Sequence, residues 1–121
     1  MGKFSRDKGK RGERMWAAVC RDHGFTNARR GVQYSGREGE AADVTGLPGI
    51  HQEVKFVERL NLYDAMDQSR RDAAAAGRGD IPIVAHKKSN CRWLVTLDAD
   101  DFFRLYQSYY TDMELAKYGK G

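Results

Sequence analysis

A β-hairpin that carries charged residues most constrains how this chain can fold. Ala42–Thr45 and His51–Val57 are predicted as its two strands, and glycines and a proline lie between them. A five-residue loop centred on Pro48 sets Asp43 opposite Glu53. Directly opposed side chains have Cβ atoms about 4.5–5.5 Å apart, and two carboxylates at that distance repel each other. We therefore expect a positive group between them, and a divalent cation fits.

Lys55 lies next to this carboxylate pair. It is two residues from Glu53 on the second strand, so both side chains project from one face, while Val54 and Phe56 point to the other. Mg²⁺ is typically held by one or two carboxylates plus waters and phosphate oxygens. A nearby ammonium can orient a nucleophilic water and offset charge on a phosphate, so the pattern indicates metal-assisted phosphodiester hydrolysis. The alternative is that Glu53 and Lys55 form an ordinary exposed ion pair.

The rest of the chain is typical of an α/β protein. The order is helix, three strands, helix, two strands, helix, which predicts a central mixed β-sheet flanked by helices. The 121 residues suffice for one domain, in which residues 1–7 and 112–121 are expected to be loose tails. Outside the hairpin, the predicted elements are a helix from about Lys8 to His23, strands at Phe25–Arg30, Ile81–His86 and Trp93–Leu97, a helix at Leu62–Ala76, and a last helix capped by Asp98.

Positive charge is concentrated in the first third of the chain. Residues 1–37 hold ten Lys and Arg against three acids, whereas residues 38–121 hold eleven against fourteen. This asymmetry predicts a polyanion-binding face, and a solvated amino-terminal segment is the alternative. Arginines can bind phosphates, and an aromatic side chain can stack on an unpaired base. The candidate nucleic-acid contacts are Lys8, Lys10, Arg11, Arg29, Arg30, Tyr34, Ser35, Arg37 and Lys87.

The composition excludes several other classes of protein. Two cysteines, Cys20 and Cys91, argue against a disulfide scaffold and a cysteine zinc site, and Cys20 is expected in the core. No apolar run approaches the roughly 20 residues of a membrane span. The amino-terminal residues lack the apolar stretch of a secretory signal. We expect no membrane partner and a cytoplasmic location. His51 shares a strand face with Glu53 but is expected at the surface.

The motifs together resemble a known family. The pattern KGKRGERMW, GF, ARRGVQYSG, ADVTG and EVKF is similar to that of the PD-(D/E)xK nuclease superfamily, above all to archaeal-type Holliday junction resolvases and related phage endonucleases. The similarity spans about residues 8–86, and Ala42 stands where the family usually has proline. It implies a restriction-endonuclease-like fold and Mg²⁺, with Mn²⁺ as a substitute. It also implies Asp43 and Glu53 as metal ligands and Lys55 as the catalytic lysine.

Two further site residues follow from the same resemblance. It implies that Glu13, on the first helix, is an additional acidic residue of the site, and that Gln68, on the second helix, is a polar one. Considered without the resemblance, Glu13 could equally pair with Lys10 or Arg14 on the helix surface. Gln68 could be a solvated helix position.

The expected function is that of a Mg²⁺-dependent DNA endonuclease, with branched DNA such as a Holliday junction favoured by the resemblance. The alternatives are a nicking or processing nuclease for other DNA forms and a basic DNA-binding accessory protein with structural carboxylates. Two matched cuts in a junction need two sites, which predicts a homodimer. On the last helix, Phe102, Leu105, Tyr106 and Tyr109 are expected to face the core, which leaves Phe103 and Tyr110 for an interface.

Overall fold

The computed structural model describes residues 3–31 and 42–118. These residues form a single α/β domain of three helices and a five-stranded mixed sheet, which confirms the predicted fold class and element order. The elements are α1 (Lys3–Asp22), β1 (Arg29–Arg30), β2 (Val44–Thr45), β3 (Ile50–Phe56), α2 (Leu62–Ala76), β4 (Ile81–Lys87), β5 (Leu94–Leu97) and α3 (Ala99–Tyr118).

The strands lie in the sheet in their chain order, β1-β2-β3-β4-β5. Only β3 and β4 run parallel among these neighbours, and α2 makes the crossover that a parallel pair requires. In the β2–β3 hairpin, Val44 is opposite Gln52, which is the predicted register. The position before Val44 is therefore opposite the position after Gln52, and this places Asp43 across from Glu53.

Helix α1 packs on one face of the sheet through small and aromatic side chains. Trp16, Ala17 and Cys20 are buried against a layer that includes Val44 of β2, so Cys20 is a core residue as predicted. The Trp16 Nε1–H donates to Oε1 of the fully buried Gln52 at 2.7 Å. Because a buried amide needs such a partner, this bond ties α1 to the centre of β3.

Helix α2 covers the opposite face, and its predicted bounds are confirmed. Asn61 caps its amino end by accepting a hydrogen bond from the Asp64 N–H, and Gly77 ends it in the left-handed region with φ of 69°. Ala65 and Met66 pack on Val84 of β4. With α1 on one face and α2 on the other, β3 and β4 are covered on both faces, whereas Leu94 and Val95 of the edge strand β5 are exposed.

The ends of the chain differ from the prediction. Residues 3–7 belong to α1 and residues 112–118 to α3, so these parts of the expected loose tails are helical. The strand expected at Phe25–Arg30 is reduced to β1. Asp98 does precede α3, and we expected its carboxylate to cap that helix. The carboxylate instead accepts two hydrogen bonds from the Arg70 guanidinium on α2.

The prediction for the last helix is wrong in its packing. No residue of α3 is buried against the part of the chain that the structure describes. The expected core residues are exposed, because α1 and α2 already occupy the two faces of the sheet. Within the described ranges, no helix has both the length and the apolar character needed to cross a bilayer. The expected core residues that the structure leaves exposed are Phe102, Leu105, Tyr106 and Tyr109.

Gly12 permits the close approach of α1 to β3. A Cβ atom at this position would lie 2.5 Å from Cβ of Phe56, whereas one at Gly9 would meet nothing within 4 Å. We expect Gly12→Ala to lower the free energy of unfolding by about 1–3 kcal/mol through overpacking. Gly9→Ala, the matched control, should raise it by up to about 1 kcal/mol through helix propensity. Urea unfolding measures both, and equal effects of the two substitutions would contradict this packing.

Candidate active site

One cavity of about 510 Å³ brings together all five residues that the sequence singled out for catalysis. They reach it from different parts of the fold. Helix α1, the segment before β2, strand β3 and helix α2 each contribute at least one side chain to the wall. These residues are Glu13, Asp43, Glu53, Lys55 and Gln68.

The hairpin fixes the two carboxylates at the centre of this cavity. The Asp43 N–H donates to the Gln52 carbonyl at 3.0 Å, and the Val54 N–H donates to Asp43 Oδ2 at 2.9 Å. The side chain of Asp43 thus takes the place of a ladder hydrogen bond and is held against β3. Glu53 is only 3% exposed. The predicted opposition of the two residues is therefore built into the backbone of the hairpin.

The environment of Glu53 opposes its negative charge. Burial raises its pKa, the adjacent Asp43 raises it further, and Lys55 acts in the opposite direction. The net result is a pKa of about 9. At neutral pH, and without a bound cation, Glu53 therefore holds a proton. A buried carboxylate beside a second carboxylate is electrostatically costly and suits a site that receives a cation.

Lys55 and Gln68 join β3 to α2 at the edge of the cavity. The Lys55 Nζ donates to Gln68 Oε1 at 3.4 Å, and both side chains are partly buried. The Lys55 ammonium lies on the strand face of Glu53, since the two residues are two apart. Gln68 thus has a hydrogen-bond partner within the site. It is therefore not the fully solvated helix residue that was the alternative from the sequence.

Glu13 lies on α1 and faces Arg30 of β1. The Arg30 Nε–H donates to Glu13 Oε1 at 2.9 Å, so the partner is Arg30 and neither of the two helix neighbours considered from the sequence. Burial raises the pKa of Glu13, Arg30 opposes this shift, and Asp43 adds to it. Glu13 and Asp43 are therefore close enough to interact electrostatically.

Two residues beside the site were missed or misplaced from the sequence. Asp72 of α2 interacts with Glu53 and Lys55 through its charge, and burial raises its own pKa. His51 is 3% exposed, so the expected surface position is wrong, and its Nε2 has no hydrogen-bond partner among the described residues. The strand alternation held a signal for His51, because the helix that covers Glu53 covers every second residue of β3.

Three of the predicted nucleic-acid contacts cluster around the ring of Phe56. Lys8 Nζ, Arg11 Cζ and Lys87 Nζ lie 4.7, 5.4 and 5.7 Å from its centroid. Lys8 also pairs with Glu58 at 2.9 Å. Because Lys8 and Phe56 line the cavity of the carboxylates, this basic cluster borders the candidate site.

The other predicted contacts are dispersed. Lys10 and Arg30 line an adjoining cavity of about 630 Å³, and Arg29 is exposed on β1. Arg59 and Arg71, which the sequence analysis did not single out, line a third cavity of about 510 Å³ together with Lys55 and Gln68. The remaining candidates lie outside the described residues, and they are Tyr34, Ser35 and Arg37.

The carboxylate pair is suited to a hard divalent cation. No group of three or more His, Cys, Asp or Glu side chains arranged for one metal ion occurs within residues 3–31 and 42–118. Mg²⁺ does not require such a group, because one or two carboxylates with waters and phosphate oxygens suffice. Asp43 and Glu53 supply oxygen donors, and a cation would offset the charge that their proximity makes unfavourable. The residues present therefore fit the ion that the sequence predicted.

Comparisons with protein-family models, curated proteins and solved structures found no match to this chain. The functional interpretation therefore depends on the residues and their geometry. The relevant observations are the opposed carboxylates, the neighbouring lysine and the basic residues around the cavity.

Replacement of Glu53 by a residue that cannot ionise should stabilise the protein in EDTA. The folded-state pKa of about 9 lies above the unfolded value near 4.5, so wild type loses stability as pH rises between these values. Glu53→Gln keeps the shape of the side chain and a hydrogen-bond donor. Because glutamine does not ionise, the variant does not lose this stability as pH rises. We expect its Tm at pH 8 to exceed that of wild type by at least about 4 °C, and the difference to vanish below about pH 4.5.

The matched control is the same substitution at Glu58. Hydrogen bonds from the Ser89 N–H, Lys8 and the Ser89 hydroxyl lower the pKa of Glu58 to about 2. Its contribution to stability is therefore present above about pH 4.5 and lost as pH falls toward 2. Glu58→Gln should leave Tm at pH 8 unchanged or slightly reduced. A Glu53→Gln protein less stable than wild type at pH 8 would contradict the electrostatics described above.

Proposed function

We propose that this protein is a Mg²⁺-dependent endonuclease that hydrolyses phosphodiester bonds in DNA. The observation that carries the proposal is the convergence of Asp43, Glu53 and Lys55 in one cavity bordered by a basic cluster. Opposed carboxylates beside an ammonium supply the groups needed for metal-assisted hydrolysis. Basic residues at the rim supply the attraction for a polyanion.

Each side chain has a distinct role in this proposal. Asp43 and Glu53 would hold the cation, which supplies Lewis acidity toward a phosphate oxygen and toward water. Lys55 places its ammonium where it can orient the attacking water and offset the charge that develops on the phosphate. Gln68 accepts a hydrogen bond from Lys55 and so positions that ammonium. Glu13 adds a further carboxylate on the α1 side.

The charges around the cavity give a path for a phosphodiester backbone. The cluster of Lys8, Arg11 and Lys87 lies on the Phe56 side. Arg59 and Arg71 line another cavity, which shares Lys55 and Gln68 with the first. A strand whose scissile phosphate is at Lys55 could therefore place neighbouring phosphates near arginine or lysine in either cavity.

The favoured substrate within this proposal is branched DNA, cut by a homodimer with one site in each copy. This part derives from the sequence resemblance. The second candidate is a DNA-binding accessory protein whose carboxylates are structural. The burial of Glu53 beside the half-buried Asp43 favours the enzyme, because a buried carboxyl group with a raised pKa beside a second carboxylate is typical of functional sites.

Cleavage assays separate these candidates. We expect the purified protein to cut a labelled four-way junction in Mg²⁺ and to leave it intact in EDTA. A linear duplex of the same sequence should be cut more slowly. Equal cleavage of both substrates would support a nuclease for other DNA forms. Binding without cleavage in Mg²⁺ or Mn²⁺ would contradict the nuclease proposal and support the accessory protein.

Site variants test the roles of individual side chains. Asp43→Asn and Lys55→Gln should each reduce the cleavage rate by at least about 100-fold, while DNA binding is retained or, for Asp43→Asn, strengthened. The matched controls are Asp22→Asn and Lys88→Gln, since both native residues are exposed. The controls should cut at the wild-type rate. Wild-type cleavage by Asp43→Asn would show that another group performs the reaction.

The salt dependence of binding tests the basic cluster. Each phosphate contact contributes about 0.9 to the negative slope of log K against log salt on duplex DNA. Arg11→Ala should therefore make the slope shallower by about one unit, and Lys87→Ala should do the same. Arg104→Ala, on the exposed surface of α3, is the matched control and should leave the slope unchanged. Slopes that do not differ among these proteins would place the DNA elsewhere.

A further inference from the structure

Helix α3 presents a continuous apolar face that the described part of the chain leaves exposed. At 3.6 residues per turn, most of its large apolar side chains fall within one sector, which also holds Lys117, whereas its acidic side chains and Leu115 lie outside that sector. The large apolar side chains in this sector are between 42% and 61% exposed. The apolar face consists of Phe102, Phe103, Leu105, Tyr106, Tyr109, Tyr110, Met113 and Ala116.

The centre of the apolar face has the spacing of a helix-pairing seam. Its residues follow one another at intervals of four, three, four and three positions, which is the heptad pattern of helices that pack side by side. These five positions lie within the wider apolar face, and their spacing suits side-by-side packing with another helix. The seam residues are Phe102, Tyr106, Tyr109, Met113 and Ala116.

The helix does not pack on the sheet of its own domain. Helices α1 and α2 cover the two faces of β3 and β4, and the edge strand β5 leaves Leu94 and Val95 exposed. The start of α3 is fixed because the Arg70 guanidinium binds both carboxylate oxygens of Asp98. Most of the stability of a helix in a protein comes from packing of its apolar face, so a partner on this face would stabilise α3.

The size of the apolar face matches what a stable pair needs. Aromatic side chains bury about 150–250 Å² each, so this half-exposed face offers on the order of 600–700 Å². A standard interface buries about 800 Å² per partner. Helix α3 carries Asp100, Asp101, Asp112 and Glu114 against Arg104 and Lys117, an acidic balance that disfavours an anionic lipid surface.

We propose that α3 pairs with α3 of a second copy of this chain through the apolar face. A second copy presents the same seam, so one contact covers both helices under a two-fold axis. This inference assigns an interface to the homodimer of the proposed function, and a monomeric wild type would leave metal-dependent cleavage by a single copy untouched, so the two can fail separately. The sequence predicted an interface of two aromatic side chains. The proposal extends that interface to the whole apolar face of α3.

Mass measurement tests the pairing. We expect sedimentation equilibrium of the full chain at about 20 μM, without DNA, to give twice the chain mass of 13.7 kDa. Tyr106→Glu, in the middle of the seam, should give 13.7 kDa. Ser108→Glu places the same side chain on the opposite side of the helix and should leave the dimer intact. A monomeric wild type, or a Tyr106→Glu protein that remains dimeric, would overturn the proposal.

Cross-linking gives a second readout that does not depend on a disruptive change. In a Cys91→Ser background, which leaves only the buried Cys20, we would introduce Tyr109→Cys in the seam or Ser108→Cys outside it. Under mild oxidation, Tyr109→Cys should form a covalent dimer at least about tenfold faster than Ser108→Cys. Equal rates would contradict pairing through this face. If α3 instead binds lipid, wild type will sediment with anionic vesicles and Tyr106→Glu will not, and that difference would also overturn the proposal.

Discussion

The candidate site depends on the antiparallel pairing of β2 with β3. Because side chains alternate along a strand, a slip of one residue would separate Asp43 from Glu53 and turn the Gln52 amide away from α1. The register is held by Val44 and Gln52, which are opposite each other and fully buried. The packing that attaches α1 to the sheet therefore also fixes the distance between the two carboxylates.

The same packing determines which charges surround the pair. The missing side chain of Gly12 allows α1 to approach Phe56, and this brings Glu13 and Lys8 to the cavity. Helix α2 closes the other side and excludes water from Glu53, which is why the carboxylate resists ionisation. The packing of the core therefore also determines the electrostatics of the site. The apolar contacts around Glu53 offset the free-energy cost of burying its carboxyl group.

Short sequence patterns predicted most of the helices and strands. The sequence could not show, however, which other part of the molecule packs on each of them. Helix α2 has the predicted bounds because Asn61 and Gly77 act within a few residues of its ends. The hairpin register followed from its loop length. By contrast, an amphipathic pattern identifies the apolar side of α3 but does not say whether the same domain or another molecule packs on it. Asp72 was missed because its proximity to Glu53 arises only when α2 packs on the sheet.

The most direct test of the central claim is a calorimetric titration of Mn²⁺ into the protein in two buffers of different ionisation enthalpy at pH 7. We expect wild type to bind the ion and to release about one proton per ion, because Glu53 must lose its proton to act as a ligand. Asp43→Asn should bind at least about tenfold more weakly. Wild-type affinity in Asp43→Asn, or binding that releases no proton, would contradict a cation site built on this pair.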